Sequence, residues 1–242
     1  MIHHTILAMK LKLDALYNGK NYLIVNKPSN VHCQPPDMNF WFRTHPDPPL
    51  VLMDMLRESN FQDEDVSLKP VHRLDNVVTG GVLIAKGRMA AANFSKNLKK
   101  GGNYGFKMVR KYVALVSKTT KYLANEGTLK SGGMITHYRK IDEHCLALQL
   151  HTGKKHQIRR HLSQVLDRPI LNDITYGGIR VEGINNQIAL HSAYIKTKIG
   201  FQENHHMIPI VQGNDNLWSQ YVDHRLQFRQ DIQEILAQDW GV

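Results

Sequence analysis

Apolar residues in this chain fall mostly into short runs bounded by glycine, proline or charge. YLIVNKP (22–28) is such a run ended by proline, which predicts a strand leaving into a loop. GGVLIA (80–85) predicts a glycine-led buried strand, and KYVALVS (111–117), rich in β-forming residues, predicts another. CLALQLHTG (145–153) and QIALHSAYIKTKI (187–199) read the same way. Helical spacing is confined to a few places. Leu52, Met55 and Leu56 share one face, and Met89, Ala90, Asn93, Phe94, Asn97 and Leu98 form a stripe closed by KKGG. Ile158, Leu162 and Val165/Leu166 make a third inner face. Between Pro35 and Pro49, five of the nine prolines surround NFWFRTH, predicting an irregular loop with exposed aromatics. Leu217, Trp218, Tyr221 and Val222, then Ile232, Ile235 and Leu236, predict helical pieces at the C-terminus. No repeat and no domain boundary is visible. The pattern predicts one α+β domain over residues 1–242, with a mixed, mostly antiparallel central sheet flanked by helices and loops.

Composition adds a partner. No apolar run approaches the roughly 18 residues of a membrane span. Cys33 and Cys145 are far apart and form no CxxC pair, which argues against a disulfide scaffold and suits a reducing compartment. The net charge is +10, and it is gathered. No acidic residue lies between Asp75 and Glu126, an interval that carries Lys86, Arg88, Lys96, Lys99, Lys100, Lys107, Arg110, Lys111, Lys118 and Lys121. A second acid-free interval, His144 to Leu166, carries Lys154, Lys155, Arg159 and Arg160. Charge of one sign repels itself and calls for a polyanion, and nucleic acid fits better than anionic lipid because the cations are not confined to one amphipathic helix. The first 13 residues, MIHHTILAMKLKL, are basic, apolar and acid-free. They suit a transit peptide, although Arg and Ser are missing, or equally a first strand.

Familiar catalytic motifs fail. HTGKKH contains a Gly-Lys pair, but a P-loop needs glycine at 148 and Ser/Thr at 155, where Leu148 and Lys155 stand. There is no GxGxxG after a strand and no HExxH. Of the fourteen histidines, His156 and His161 are five apart on a predicted helix and share no face well, so neither metal nor cofactor is expected. TGKKHQIRRHL (152–162) sets four cations at a helix start, which suits phosphate binding or merely a solvated basic face. Arg159 follows the core position Ile158, so its guanidinium lies at the edge of the buried stripe and wants a carboxylate partner. Tyr112, between Arg110–Lys111 and an apolar run, reads as a core tyrosine or as a platform for a nucleobase whose phosphates the two cations hold. VHRLDNVVTGGVLIAKG (71–87) isolates one carboxylate, Asp75, between His72–Arg73 and an apolar, glycine-bearing run.

Taken together and in this order, these segments resemble the RluA branch of the pseudouridine synthases. HRLDNVVTGGVLIAK is similar to the signature HRLDxxTSGxxxxAK, and LHTGKKHQIRRHLSQVLDRPILNDITYGG to GRTHQIRVHL…PIxGDxxYG. NYLIVNKPSNVH matches an N-terminal NKPxG strand, and LHSAYI a later LHAxxL element, so the likeness covers about residues 17–197. There are departures. TSG reads Val78-Thr79-Gly80, the KPxG glycine is Asn30, GRT reads Gly153-Lys154-Lys155, and LHA reads Leu190-His191-Ser192. No S4-type RNA-binding domain is visible before residue 17, so the catalytic domain is expected to supply its own RNA contacts. The short chain and VVTGG look most like the fungal mitochondrial large-subunit rRNA synthases.

The resemblance implies an RNA pseudouridine synthase that isomerises uridine without cofactor or metal. It makes Asp75 the catalytic carboxylate, Arg159 its ionic partner and Tyr112 the residue stacked on uracil. His72, Arg73, Arg110, Lys111, Lys154, Lys155, His156, Arg160 and Leu190 are the expected substrate and RNA contacts. Apolar walls favour the neutral form of a carboxylate, and a paired arginine opposes that. The expected partner is rRNA, bound by a monomer with no membrane association, in mitochondria, with cytoplasm or nucleus as the alternative. A tRNA substrate, or a non-catalytic RNA-binding or ribosome-assembly factor on the same fold, is the alternative; a metal-dependent nuclease would need the clustered carboxylates that Asp75 lacks.

Overall fold

Ten strands join in one sheet in a computed structural model that describes residues 13–59, 61, 66–99 and 105–241. They are β1 (Asp14–Asn18), β2 (Tyr22–Lys27), β3 (Leu68–Pro70), β4 (Thr79–Lys86), β5 (Lys107–Leu115), β6 (Glu126–Ser131), β7 (Met134–Lys140), β8 (Cys145–Leu150), β9 (Leu190–Ile199) and β10 (Gln202–Met207). The order across the sheet is β1-β2-β4-β9-β5-β8-β7-β6, with β3 added to β4 and β10 to β9. The helices are α1 (Met38–Trp41), α2 (Leu52–Arg57), α3 (Gly87–Lys99), α4 (Gln157–Arg160) and α5 (Gln230–Ala237). The mixed, mostly antiparallel α+β architecture is the expected one.

Every named strand pair is antiparallel except β4 with β9, which meet in parallel over two residue pairs, Thr79–His191 and Gly80–Ser192. This short seam joins the two halves of the sheet. Gly80 makes it possible: its φ is 113°, and a Cβ there would lie 2.5 Å from the carbonyl oxygen of Ser192. Side chains reinforce the seam. Thr79 Oγ1 and His191 Nδ1 are 2.7 Å apart, Ser192 Oγ donates to the Gly81 carbonyl at 3.0 Å, and all three residues are fully buried. The loop carrying Asp75 enters β4 at this point, and Tyr112 on β5 pairs with Ser192 just across β9.

Strand alternation divides the core. On β2, Leu23 and Val25 enter the main core, while Tyr22 and Ile24 face a second cluster closed by Ala90 and Phe94 of α3. Ile232 and Leu236 bring α5 onto the main core.

The expected strands and helices correspond to β2, β4, β5, β8, β9, α2, α3, α4 and α5. Two expectations need correction. Helix α4 runs into a π-helical turn, His161–Val165, whose longer repeat turns Val165 outward, while Ile158 and Leu162 stay buried and Leu166 packs against the main core. Residues 217–222 pack Leu217, Trp218 and Tyr221 inward from turns, not from a helix. The loop with exposed aromatics contains the single turn α1, with Phe40 and Phe42 exposed. The reading of residues 1–12 as a leader or first strand, and the glycines of KKGG, lie outside the described residues.

Candidate active site

Asp75 sits in the wall of a cleft of about 570 Å³ at the β4–β9 seam. Three segments that are remote in sequence converge on it: the β3–β4 loop with His72, Arg73 and Asp75; β5 with Arg110 and Tyr112; and the β8–α4 loop with Lys154, Lys155 and His156. Arg159 and Leu190 complete the wall.

Arg159 is buried, and its charge is shared between two carboxylates. Nε and Nη2 donate to Asp173 at 2.7 and 2.8 Å, while Nη1 donates to Asp75 at 3.2 Å. Burial opposes the guanidinium charge, but the bonds to Asp173 and then Asp75 outweigh it and raise the Arg159 pKa. The plane also lies over the Tyr176 ring, 4.9 Å from its centre. Tyr176 in turn hydrogen-bonds His156 Nδ1 at 2.9 Å, so one turn of chain, Asp173 to Tyr176, orients both side chains that flank Asp75. His156 enters α4 with φ 54°, and its Nε2 lies 3.6 Å from Asp75 Oδ1. Burial holds this imidazole below the ordinary histidine range, so it is neutral near pH 7 and the contact is no ion pair. Asp75 Oδ2 is therefore committed to Arg159, and Oδ1 has no charged partner among the described residues.

Tyr112 is 3% exposed, and burial pushes its phenol pKa up, which keeps it protonated. Behind the Asp75 loop, fully buried Lys27 donates to the carbonyls of Pro28, Val31 and Asn76 at 2.8, 2.9 and 3.3 Å, pinning the turn that follows Asp75. Burial lowers the Lys27 pKa to about 8.

Two expected contacts are elsewhere. Lys111 alternates with Arg110 and Tyr112 on β5, so it points through the opposite face of the sheet. Its Nζ donates to the carbonyls of Leu236 and Gln238 at the end of α5 and lies 4.7 Å from the Trp240 ring centre. Arg160, one residue and about 100° round the helix from Arg159, is half-buried outside the cleft lining. Asp173 and Tyr176 of NDITYGG and Lys27 of NKP have no role legible in the sequence, because their partners are set by the fold. Among the described residues, no three His, Cys, Asp or Glu side chains are grouped to hold a metal.

The sequence profile described as RNA pseudouridylate synthase matches residues 21–164, more than half of the chain. The chain belongs to that family. Members of curated proteins named 21S rRNA pseudouridine(2819) synthase are similar over nearly the whole chain. The Kluyveromyces lactis protein is 43% identical, covering 98% of this chain and 82% of its own length. The Saccharomyces cerevisiae protein is also 43% identical, covering 97% and 99%. Among solved structures, human RNA pseudouridylate synthase domain containing 1 has the same fold, with a TM-score of 0.66 at 19% identity, over 95% of this chain and 96% of that one. An RNA pseudouridine synthase is an isomerase: it detaches uracil N1 from ribose C1′ and rejoins the base through C5. In such a synthase the cleft must admit one nucleotide and present a reactive group to its sugar.

Proposed function

We propose that the chain isomerises a uridine in mitochondrial large-subunit rRNA, with Asp75 as the reacting carboxylate. The observation that carries this reading is the arrangement of Asp75, one oxygen held by Arg159, in the wall of a nucleotide-sized cleft that Tyr112 also lines. The rRNA target follows the names of the relatives similar over most of the chain.

The extruded uracil stacks on Tyr112, and its ribose lies against Asp75. Leaving the RNA stack costs a few kcal/mol, which contacts to the strand offset. The carboxylate promotes cleavage of the N1–C1′ bond as a nucleophile or as a base at the sugar; both use the carboxylate anion, whose Oδ2 accepts from Arg159. The base then turns, C5 bonds to C1′, the proton on C5 is lost and N1 gains one. Atoms and electrons balance with no added oxidant or reductant. Apolar Leu190 and Val78 close the wall around these steps.

A non-catalytic RNA-binding protein would use the same cations but would not need Asp75, Arg159 and Asp173 together. Mapping pseudouridines in total RNA from cells with and without the protein tests the proposal. Loss of one site in the mitochondrial large-subunit rRNA is expected. A loss confined to tRNA, or an unchanged map, contradicts it.

A further inference from the structure

The cleft contains two buried arginines with opposite fates. Arg159 is 6% exposed and has two carboxylates; Arg110 is 7% exposed and has no hydrogen-bond or ionic partner among the described residues. Other cations lining the cleft are committed or lie in water. Arg73 donates to Gln34 Oε1 at 3.2 Å, Lys154 to the Gly132 carbonyl at 2.8 Å, and Lys155 is exposed. No nitrogen of the Arg110 guanidinium is a fully buried atom without a partner, so the group opens onto the cleft, where an anion can reach it.

A second donor stands in the same wall. His72 Nε2 accepts the Leu83 N–H at 3.1 Å, which assigns the proton to Nδ1, and that buried Nδ1–H has no acceptor among the described residues. Burial, aided by the Arg110 charge, holds His72 neutral, so it adds a donor without adding repulsion. Gly153 borders the guanidinium: a Cβ there would lie 3.4 Å from Arg110 Nη2, so the loop crosses close by without a side chain. Among the described residues, no acidic side chain other than Asp75 lines this cleft, and Asp75 is taken by Arg159.

We infer that Arg110, with the His72 N–H beside it, is the seat of one backbone phosphate of the RNA strand whose uridine reaches Asp75. Guanidinium donors fit phosphate oxygens two at a time, and the seat lies two residues along the strand from the Tyr112 platform. The flipped nucleotide is thereby anchored by its strand as well as by its base. This inference rests on the synthase reading above.

Single neutral methylphosphonate linkages, moved one position at a time around the modified uridine in a short RNA, test it by double-mutant cycles with Arg110→Gln. In the wild type one linkage weakens binding about tenfold. In Arg110→Gln the same linkage costs less than about twofold further, and the salt slope of log Kd falls by about 0.7. Arg110→Lys, which keeps the charge, retains most of the linkage effect and serves if the glutamine variant is unfolded. Equal linkage effects in wild type and both variants overturn the phosphate seat. So does coupling of Arg110 to a 2-pyrimidinone nucleoside lacking the uracil 4-oxygen, since the pair would then read the base. Absence of pseudouridine formation by the wild type on any RNA would instead refute the synthase reading.

Discussion

Arg159 gives two N–H groups to Asp173, at 2.7 and 2.8 Å, and one to Asp75, at 3.2 Å. The two carboxylates are not equivalent. The Asp173 side chain is 1% exposed and takes the fork of the guanidinium, which fixes its plane. The Asp75 side chain, 19% exposed, receives the remaining Nη1 and stays open to the cleft. Asp173 thus orients the arginine, and the arginine orients Asp75.

Replacing Arg159 by alanine strands the buried Asp173 charge, and removing one side of such a pair costs about 3–5 kcal/mol. Activity falls as well, because Asp75 loses its partner. The double variant Arg159→Met/Asp173→Leu separates the effects: it recovers part of the melting temperature and none of the turnover. Thermal unfolding of the two variants beside a conversion assay checks this. An unchanged melting temperature in Arg159→Ala would contradict the buried pair.

Lys111 belongs to the scaffold. Burial lowers its pKa to about 8, the charge of Asp239 opposing, while its ammonium caps the carbonyls that end α5. Lys111→Met is expected to lower the melting temperature, since the Leu236 and Gln238 carbonyls lose their donor, and to leave RNA affinity within twofold. Gel-shift titration against RNA measures the second part. A large loss of affinity with unchanged stability would return Lys111 to the RNA surface.

Lys111 also shows where a linear reading stops. Its neighbours Arg110 and Tyr112 line the cleft, and only the two-residue alternation of β5 decides that Lys111 does not. The chain of Asp75, Tyr112 and Arg159 was legible because each lies in a contiguous, distinctive segment. Asp173, within NDITYGG, shows no partner in the sequence, because its pairing depends on the chain turning back onto α4 fourteen residues later. Strands β6 and β7 went unread because their residues are mixed polar and apolar, and the Gly132–Gly133 turn between them, with φ of 51° and 70°, is their clearest local mark. A regular helical period does not carry through the π-helical turn, so Val165 points outward and Leu166 takes the inner position.

Acid should weaken the seam before it reaches the carboxylates. His191 is fully buried, and burial lowers its pKa from 6.5 to about 3. The folded protein therefore holds this imidazole neutral while the unfolded chain binds a proton below pH 6.5. Stability is fully present above that pH and is lost as pH falls from 6.5 toward 3, by about 2 kcal/mol at pH 5 from this group. His206, lowered to about 4 by burial, acts in the same direction. Urea denaturation at pH 7 and pH 5 measures the loss; equal midpoints would mean that the seam tolerates a charged imidazole.

The account stands on the Asp75 carboxylate, and Asp75→Asn keeps its size while removing its charge. Pseudouridine formation on the target RNA should vanish, and the affinity for that RNA should stay within a few-fold of wild type. Turnover by Asp75→Asn at a rate comparable to the wild type would contradict the assignment.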